Sequence, residues 1–406
     1  MIRLTLPCRV RPVVPVLTPA VRACGRTPEA PSMHRLLPAV LFPALALAVA
    51  LLVTPTPVAA QERVIVDADM GVLNDDAVAL FMLVNSPTVE VLGVTIVPGN
   101  SWAEHCTASA LRQLELIGRT DIPVFMGVRE PLMGSRQPWL EAEERLWGRT
   151  EVLGAYGRPR ATSYLALDRE PVIGYPTTTP AAENAVDFIV RSVKAYPNEI
   201  TLFVIGPATN VALAVRKNPE IVPLVKRVYY MGGSVDVPGN STPAAEFNWW
   251  FDPEAARIAL RTPFREQIIV PTDVAERMFY TKAEYDRIVS APETPITRLF
   301  QQIHGPRFER DPRSRSFIWD ALATGIFLQP SLATQLVDRY IDVDVTYGPN
   351  YGRSIGYHES RRRSFATPND FPAGTQKVKV LMAVDQPKFW DLYIDLMTRP
   401  VRGARQ

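Results

Sequence analysis

From residue 63 to residue 270 the chain alternates between short β-branched apolar runs and longer segments with apolar residues every third or fourth position. Buried strands are expected at 63–68, 89–97, 122–126, 200–205, 227–231 and 267–270, and helices at 75–85, 103–117, 181–195, 210–216 and 253–260. Strand and helix following each other this regularly imply right-handed crossovers. The expected fold class is therefore α/β, a mostly parallel, doubly wound (Rossmann-like) sheet with helices on both faces. Ligands of such sheets bind beyond the carboxyl ends of the strands. The unusual polar residues of this chain fall there: Asp67 and Asp69, Asn100, and the loops from Gly206 and Gly232. A long polar stretch after residue 126 shows no clear period, and 284–315 reads as a helical excursion. There is no internal repeat, and one domain is expected from residue 61 onward.

The first 60 residues read as a leader rather than as part of that fold. Met33-His34-Arg35 precedes the apolar run 36–53, and the small residues Val58 and Ala60 stand where a signal peptidase would cut before Gln61. Residues 1–32, rich in Pro and Arg, lie upstream of a better start. Export to the periplasm or beyond is expected, with no membrane attachment once the signal is removed. A retained anchor is the alternative, because the run is nearly long enough to span a bilayer. Past the leader only Cys106 remains, so no internal disulfide and no thiolate zinc site can form. With 47% apolar residues, 21% charged and a net charge of +2, the chain suits a soluble globular protein. It carries no basic stripe for nucleic acid.

The first strand runs into VIVDADMGVLNDDAVAL, which crowds Asp67, Asp69, Asp75 and Asp76 around one strand end and one helix start. A helix cap needs one acid, not four. Carboxylates so close repel unless a cation or hydrogen-bond donors compensate. Oxygen donors without clustered His or Cys favour a hard cation, Ca²⁺ or Mg²⁺. A phosphatase that starts from DxD is a competing reading, but Asp69-Met70-Gly71 lacks the Thr or Val expected after its second Asp. A P-loop is absent. Further along, GNSTPAAEFN sets Asn240, Glu246 and Asn248 in one loop. A carboxylate between two amides suits a furanose ring with vicinal hydroxyls, although such loops are often only turn chemistry.

These segments, with TIVPGN, IGPATNVALA, FDPEAA, IWDALA and VDQPKFWDLYIDLM in order, resemble the inosine–uridine nucleoside hydrolase family from about Arg63 to Thr398. The resemblance implies an α/β fold, a bound Ca²⁺ and hydrolysis of ribonucleosides to base and ribose. It assigns calcium ligation to Asp69, both oxygens of Asp76, the main-chain carbonyl of Ile205, and Asp320. It assigns ribose binding to Asp75, Asn100, Asn240, Glu246 and Asn248, and the general base to Asp69. It also suggests a homodimer or homotetramer. Where one branch of the family has a histidine acid, this chain has Trp319, as does the purine-specific branch. Trp147 is the expected second aromatic of a base sandwich that would raise the basicity of a purine nitrogen. Val72-Leu73-Asn74 lengthens the turn before Asp75.

Breaking the C–N bond of a nucleoside passes through an oxocarbenium-like ribose. The expectations are a cation-oriented water whose proton goes to Asp69, carboxylates favouring positive charge at the sugar, and weak activity on 2′-deoxynucleosides. A non-catalytic periplasmic ribose or nucleoside binder remains the alternative from another class. His304, Arg307 and Arg310 are expected on a solvated basic face, with acid or lid roles as the alternative.

Overall fold

The computed structural model describes residues 61–148, 152–357 and 371–404, all within one folded unit, Ala59–Gln406. The leader, residues 1–60, lies outside the described residues. Six strands follow the expected alternation: β1 (Glu62–Ala68), β2 (Val89–Ile96), β3 (Val124–Met126), β4 (Ile200–Val204), β5 (Arg227–Met231) and β6 (Gln267–Val270). They lie in the order β3-β2-β1-β4-β5-β6, every neighbouring pair parallel. The sheet then continues through β7 (Ala333–Val343), β8 (Ser354–Tyr357) and β9 (Gln376–Val384). β9 pairs parallel to β6, β7 antiparallel to β9, and β8 antiparallel to β7. The fold class is the one expected, with an antiparallel edge that the reading up to residue 270 did not reach.

The helices in chain order are α1 (Asp75–Asn85), α2 (Ala103–Leu116), α3 (Gln137–Trp147), α4 (Ala185–Ala195), α5 (Thr209–Lys217), α6 (Phe247–Phe251), α7 (Pro253–Arg261), α8 (Thr272–Ala275), α9 (Lys282–Val289), α10 (Pro295–Arg310), α11 (Trp319–Leu328) and α12 (Gln386–Thr398). Alternation along β1 divides the core between two faces. Val64 and Val66 pack with Phe81, Leu322 and Phe389 under α1, α11 and α12. Ile65 packs with Ile189, Val211 and Leu260 under α4, α5 and α7. Being covered on both sides, β4 is apolar or small throughout and fully buried.

Three local differences from the sequence reading have plain causes. α4 begins at Ala185 rather than 181, because the Asn184 side chain accepts from the Asp187 amide at 3.0 Å and caps the helix there. The aperiodic polar stretch contains α3, entered through Pro138 and anchored by the buried Arg136–Glu143 ion pair. His304 is not on a solvated face: its ring is packed between Tyr280 and Phe300 at centroid distances of 5.3 and 5.5 Å. Arg307 is turned toward Ser314 and Ser316, and only Arg310 is exposed.

The order of the sheet reverses between β1 and β4. β2 and β3 lie to one side of that boundary and β5 and β6 to the other, which opens a crevice at the strands' carboxyl ends.

Candidate active site

The crevice is built first from backbone. Beyond the last paired residues, the amides of Ile205 and Gly206 both donate to the Asp67 carbonyl, at 2.9 and 3.2 Å. This fixes the exits of β1 and β4 side by side, with Asp69 on one and the Ile205 carbonyl on the other. Two glycines close around Asp69. A Cβ on Gly206 would lie 2.8 Å from Asp69 Oδ1, and one on Gly99 would collide with the other carboxylate oxygen. The backbone can approach the carboxylate this closely only without side chains.

Asp67 does not join the acidic group as the sequence suggested. Its carboxylate is turned into the protein, where it accepts from Thr95 Oγ1 at 2.6 Å and Asn210 Nδ2 at 2.8 Å, and burial pushes it up to about 7. It braces β1 and does not line the cavity.

Between Asp69 and α1 the chain makes a tight turn with Leu73 at φ 44°, a conformation costly for a branched residue. Gln113 of α2, fully buried, holds that turn. Its Oε1 accepts from the Leu73 amide at 2.7 Å and its Nε2 donates to the Gly71 carbonyl at 2.9 Å. Asn74 then caps α1. The turn delivers Asp75 and Asp76 to the helix N-terminus, where unpaired amides and the helix dipole favour negative charge.

Asp320, in the first turn of α11, arrives from more than two hundred residues away. Asp75, Asp76 and Asp320 each offer a carboxylate oxygen, and the three oxygens lie within 4.8 Å of one another. Asp69 is tied to the same group: its amide donates to Asp76 Oδ1 at 3.1 Å, and its Oδ2 accepts from the Asn100 amide at 2.6 Å. Asp76 Oδ2 accepts from the side chains of Asn74 and Asn100. Asp320 Oδ1 is buried with no hydrogen-bond partner among the described residues. Burial pushes Asp69 up to about 7 and Asp75 to about 6, and it drives Asp76 and Asp320 well above the usual carboxylate range, with the neighbouring acids adding to the effect. A group of carboxylates that resists ionisation, with one orphaned oxygen and a carbonyl beside it, fits a hard divalent cation.

The cavity next to this cluster has a volume of about 310 Å³. Glu246 caps α6, accepting from the amides of Gly233, Asn248 and Trp249 at 2.8, 2.8 and 3.2 Å, and burial raises it to about 7. Asn248 Nδ2 donates to the carbonyls of Ile205 and Met231, at 2.9 and 3.1 Å, and so orients the Ile205 carbonyl. Asn240 Oδ1 accepts from the Phe247 amide at 2.9 Å. Ten of the eleven site residues expected from sequence thus meet in one place. Nine of them line the cavity, and Asp76 lies directly behind.

Trp147 is the exception. It is 41% exposed at the last residue of α3 and lines a separate cleft with Ser234, Asp236 and Arg353. Gly148, at φ 82°, ends the helix there. Position in a motif does not fix the direction in which a helix-terminal side chain points. The aromatic surfaces facing the cavity beside Trp319 belong to Phe317, whose ring centroid lies 5.0 Å from the indole, and to Phe247. Sequence reasoning missed these two and Glu276. Phe247 could have been found, since it stands inside the GNSTPAAEFN loop; Glu276 lies on a segment with no periodic signal.

Residues 64–391 match the family described as inosine-uridine preferring nucleoside hydrolase, and the chain belongs to that family. It is 30% identical over 309 residues to the Escherichia coli pyrimidine-specific ribonucleoside hydrolase RihB, covering 73% of this chain and 87% of the relative. Among solved structures it is similar to a plant nucleoside hydrolase (TM-score 0.67, 26% identity, 84% of this chain and 99% of that one). It is also similar to the purine-preferring ribonucleoside hydrolase of Gardnerella vaginalis (TM-score 0.64, 25% identity, 83% and 98%). The chain is therefore a hydrolase of N-glycosyl compounds acting on ribonucleosides, in a metal-dependent family.

Proposed function

We propose that this enzyme is a calcium-dependent ribonucleoside hydrolase with a preference for purine nucleosides, and that it acts after export, in the periplasm or beyond. The carrying observation is the joining of Asp75, Asp76 and Asp320 within 4.8 Å, next to a cavity walled by Asn240, Glu246, Asn248 and the half-buried Trp319. Asp69, Asp76, Asp320 and the Ile205 carbonyl would hold the ion, and Asp75, which joins the same cluster and lines the cavity, would serve the sugar. When bound, the cation supplies positive charge that keeps these carboxylates ionised and polarises a water.

The chain's own residues do the rest. Asn100 fixes one Asp69 oxygen, so the carboxylate stands ready to take a proton from the attacking water. Asp75, Asn100 and Asn248 offer donors and acceptors to the ribose hydroxyls, turning binding energy into orientation. The buried carboxylates favour the positive charge that develops on the sugar. Trp319 offers an aromatic face to the leaving base in place of an acid.

Incubation with inosine, guanosine, adenosine, uridine, cytidine and 2′-deoxyinosine, with Ca²⁺, Mg²⁺ or chelator, tests all of this by release of base and reducing sugar. Purine release that needs Ca²⁺ and fails on the deoxynucleoside is expected. Equal turnover in chelator would remove the cation. The likeness to RihB favours a second reading, pyrimidine preference, and faster release of uracil or cytosine would establish it. N-terminal sequencing of the protein recovered from the exported fraction tests the cut before Gln61; a start upstream of residue 36 would refute it.

A further inference from the structure

Glu276 follows α8 directly and lies at the cavity wall. One of its oxygens, Oε1, accepts from Asn240 Nδ2 at 2.9 Å and from Trp319 Nε1 at 3.2 Å. The two donors come from different parts of the site: Asn240 from the loop after β5, Trp319 from the start of α11. Because Phe247 holds the other end of the Asn240 amide at 2.9 Å, the carboxamide is fixed at both ends and cannot exchange its oxygen for its nitrogen. The same oxygen fixes the rotation of the indole that leans on Phe317. Glu276 is half-buried and has no ion-pair partner among the described residues, so these two contacts are its polar commitments in the site.

We propose that Glu276 is a positioning residue that couples the ribose-binding and base-facing halves of the pocket, acting through Asn240 and Trp319 rather than on the substrate. The proposal rests on the nucleoside-site reading above. A carboxylate acceptor makes stronger hydrogen bonds than a neutral one, and one oxygen shared by two donors makes the position of each depend on the other.

The test is a set of variants assayed on the preferred nucleoside, with thermal unfolding as a check of folding. Glu276→Ala should lower kcat/KM about 30-fold, the scale of losing hydrogen bonds to a charged group. Glu276→Gln keeps an acceptor oxygen and should recover most of that loss. In a background carrying Trp319→Phe and Asn240→Ala, which lacks both donors, adding Glu276→Ala should cost less than about threefold, because its effect is already gone. A merely structural role would not produce that loss of effect. A further 30-fold fall in this background would overturn the proposal, as would a Gln variant no better than Ala. If Glu276→Ala does not fold, Glu276→Gln decides the matter. The weaker neutral acceptor should cost about threefold alone and nothing measurable relative to its own Glu276 parent in the Trp319→Phe, Asn240→Ala background, and an equal cost in both would overturn the proposal. A wild-type protein that releases no base from any nucleoside would sink the nucleoside reading and this proposal together. Failure of the variants in an active enzyme sinks only the latter.

Discussion

At the scale of single residues, burial without pairing is the recurring theme. Asp69 stands 1% exposed among other acids and is raised to about 7 by burial, with its neighbours adding to the shift. Asp69→Asn preserves shape and removes the proposed proton acceptor, so turnover should drop about a thousandfold with thermal unfolding shifted little. Retained activity would move the base elsewhere. His304 shows the same physics with the opposite sign. Burial, then the nearby Arg307 charge, lowers it from 6.5 to about 4, against an opposing hydrogen bond to the Leu73 backbone. The folded state therefore favours the neutral ring. Its contribution is complete above pH 6.5 and is lost as pH falls from 6.5 toward 4, a loss of about 3 kcal/mol. Urea unfolding at pH 7 and pH 4.5 should show that loss in the wild type and not in His304→Gln. An equal acid-induced loss in both would dispose of the assignment.

At the scale of elements, the turn between β1 and α1 joins sequence to chemistry most directly. Leu73 at φ 44° is held by Gln113, a residue of the next helix with no polar surface of its own to offer solvent. Gln113→Ala leaves a buried amide and a part-buried carbonyl unpaired, which should cost about 2 kcal/mol. The apparent cation affinity should fall at least about tenfold, because a supporting contact to the ligand-bearing turn is gone. Calorimetric titration measures the second effect, and an unchanged affinity would show that the turn holds its shape alone. This turn also marks how far the sequence could be read. The bounds of α1, β5 and β6 coincide with those expected, since a buried helix face and parallel strands write their period in apolar residues. Asp75 and Asp76 were legible because acids at a strand exit and a helix start are chemically conspicuous, whereas Asp320 was reached only through the family resemblance of IWDALA. α3 was not, because its apolar residues are too few and partly exposed to show a period. Glu276 was not legible either: it follows a helix of four residues, and its importance lies in which donors reach it, a fact of tertiary structure alone. Trp147 shows the converse, a motif position without the matching direction.

For the whole molecule, the cation and the fold are linked. The proposed ligands, from the exits of β1 and β4, from α1 and from α11, converge on one point, and an unfolded chain offers no such convergence. At a hundredfold excess over its dissociation constant the ion should add about 2.7 kcal/mol. Chelation should therefore lower the thermal midpoint by roughly 5 °C. A midpoint indifferent to chelator would mean that the carboxylates hold protons rather than metal in solution. The distance along the chain between Asp69 and Asp320 has a consequence for how the protein comes into being. Synthesis lays down the proposed general base, Asp69, early and the proposed last ligand, Asp320, about 250 residues later. On the proposed ligand set, no nascent fragment ending before α11 would carry a working centre, and ion capture would be an event of completed tertiary assembly. An ion-sensitive probe followed during refolding would thus report the docking of α11, and with it the moment at which a partly made polypeptide becomes an enzyme.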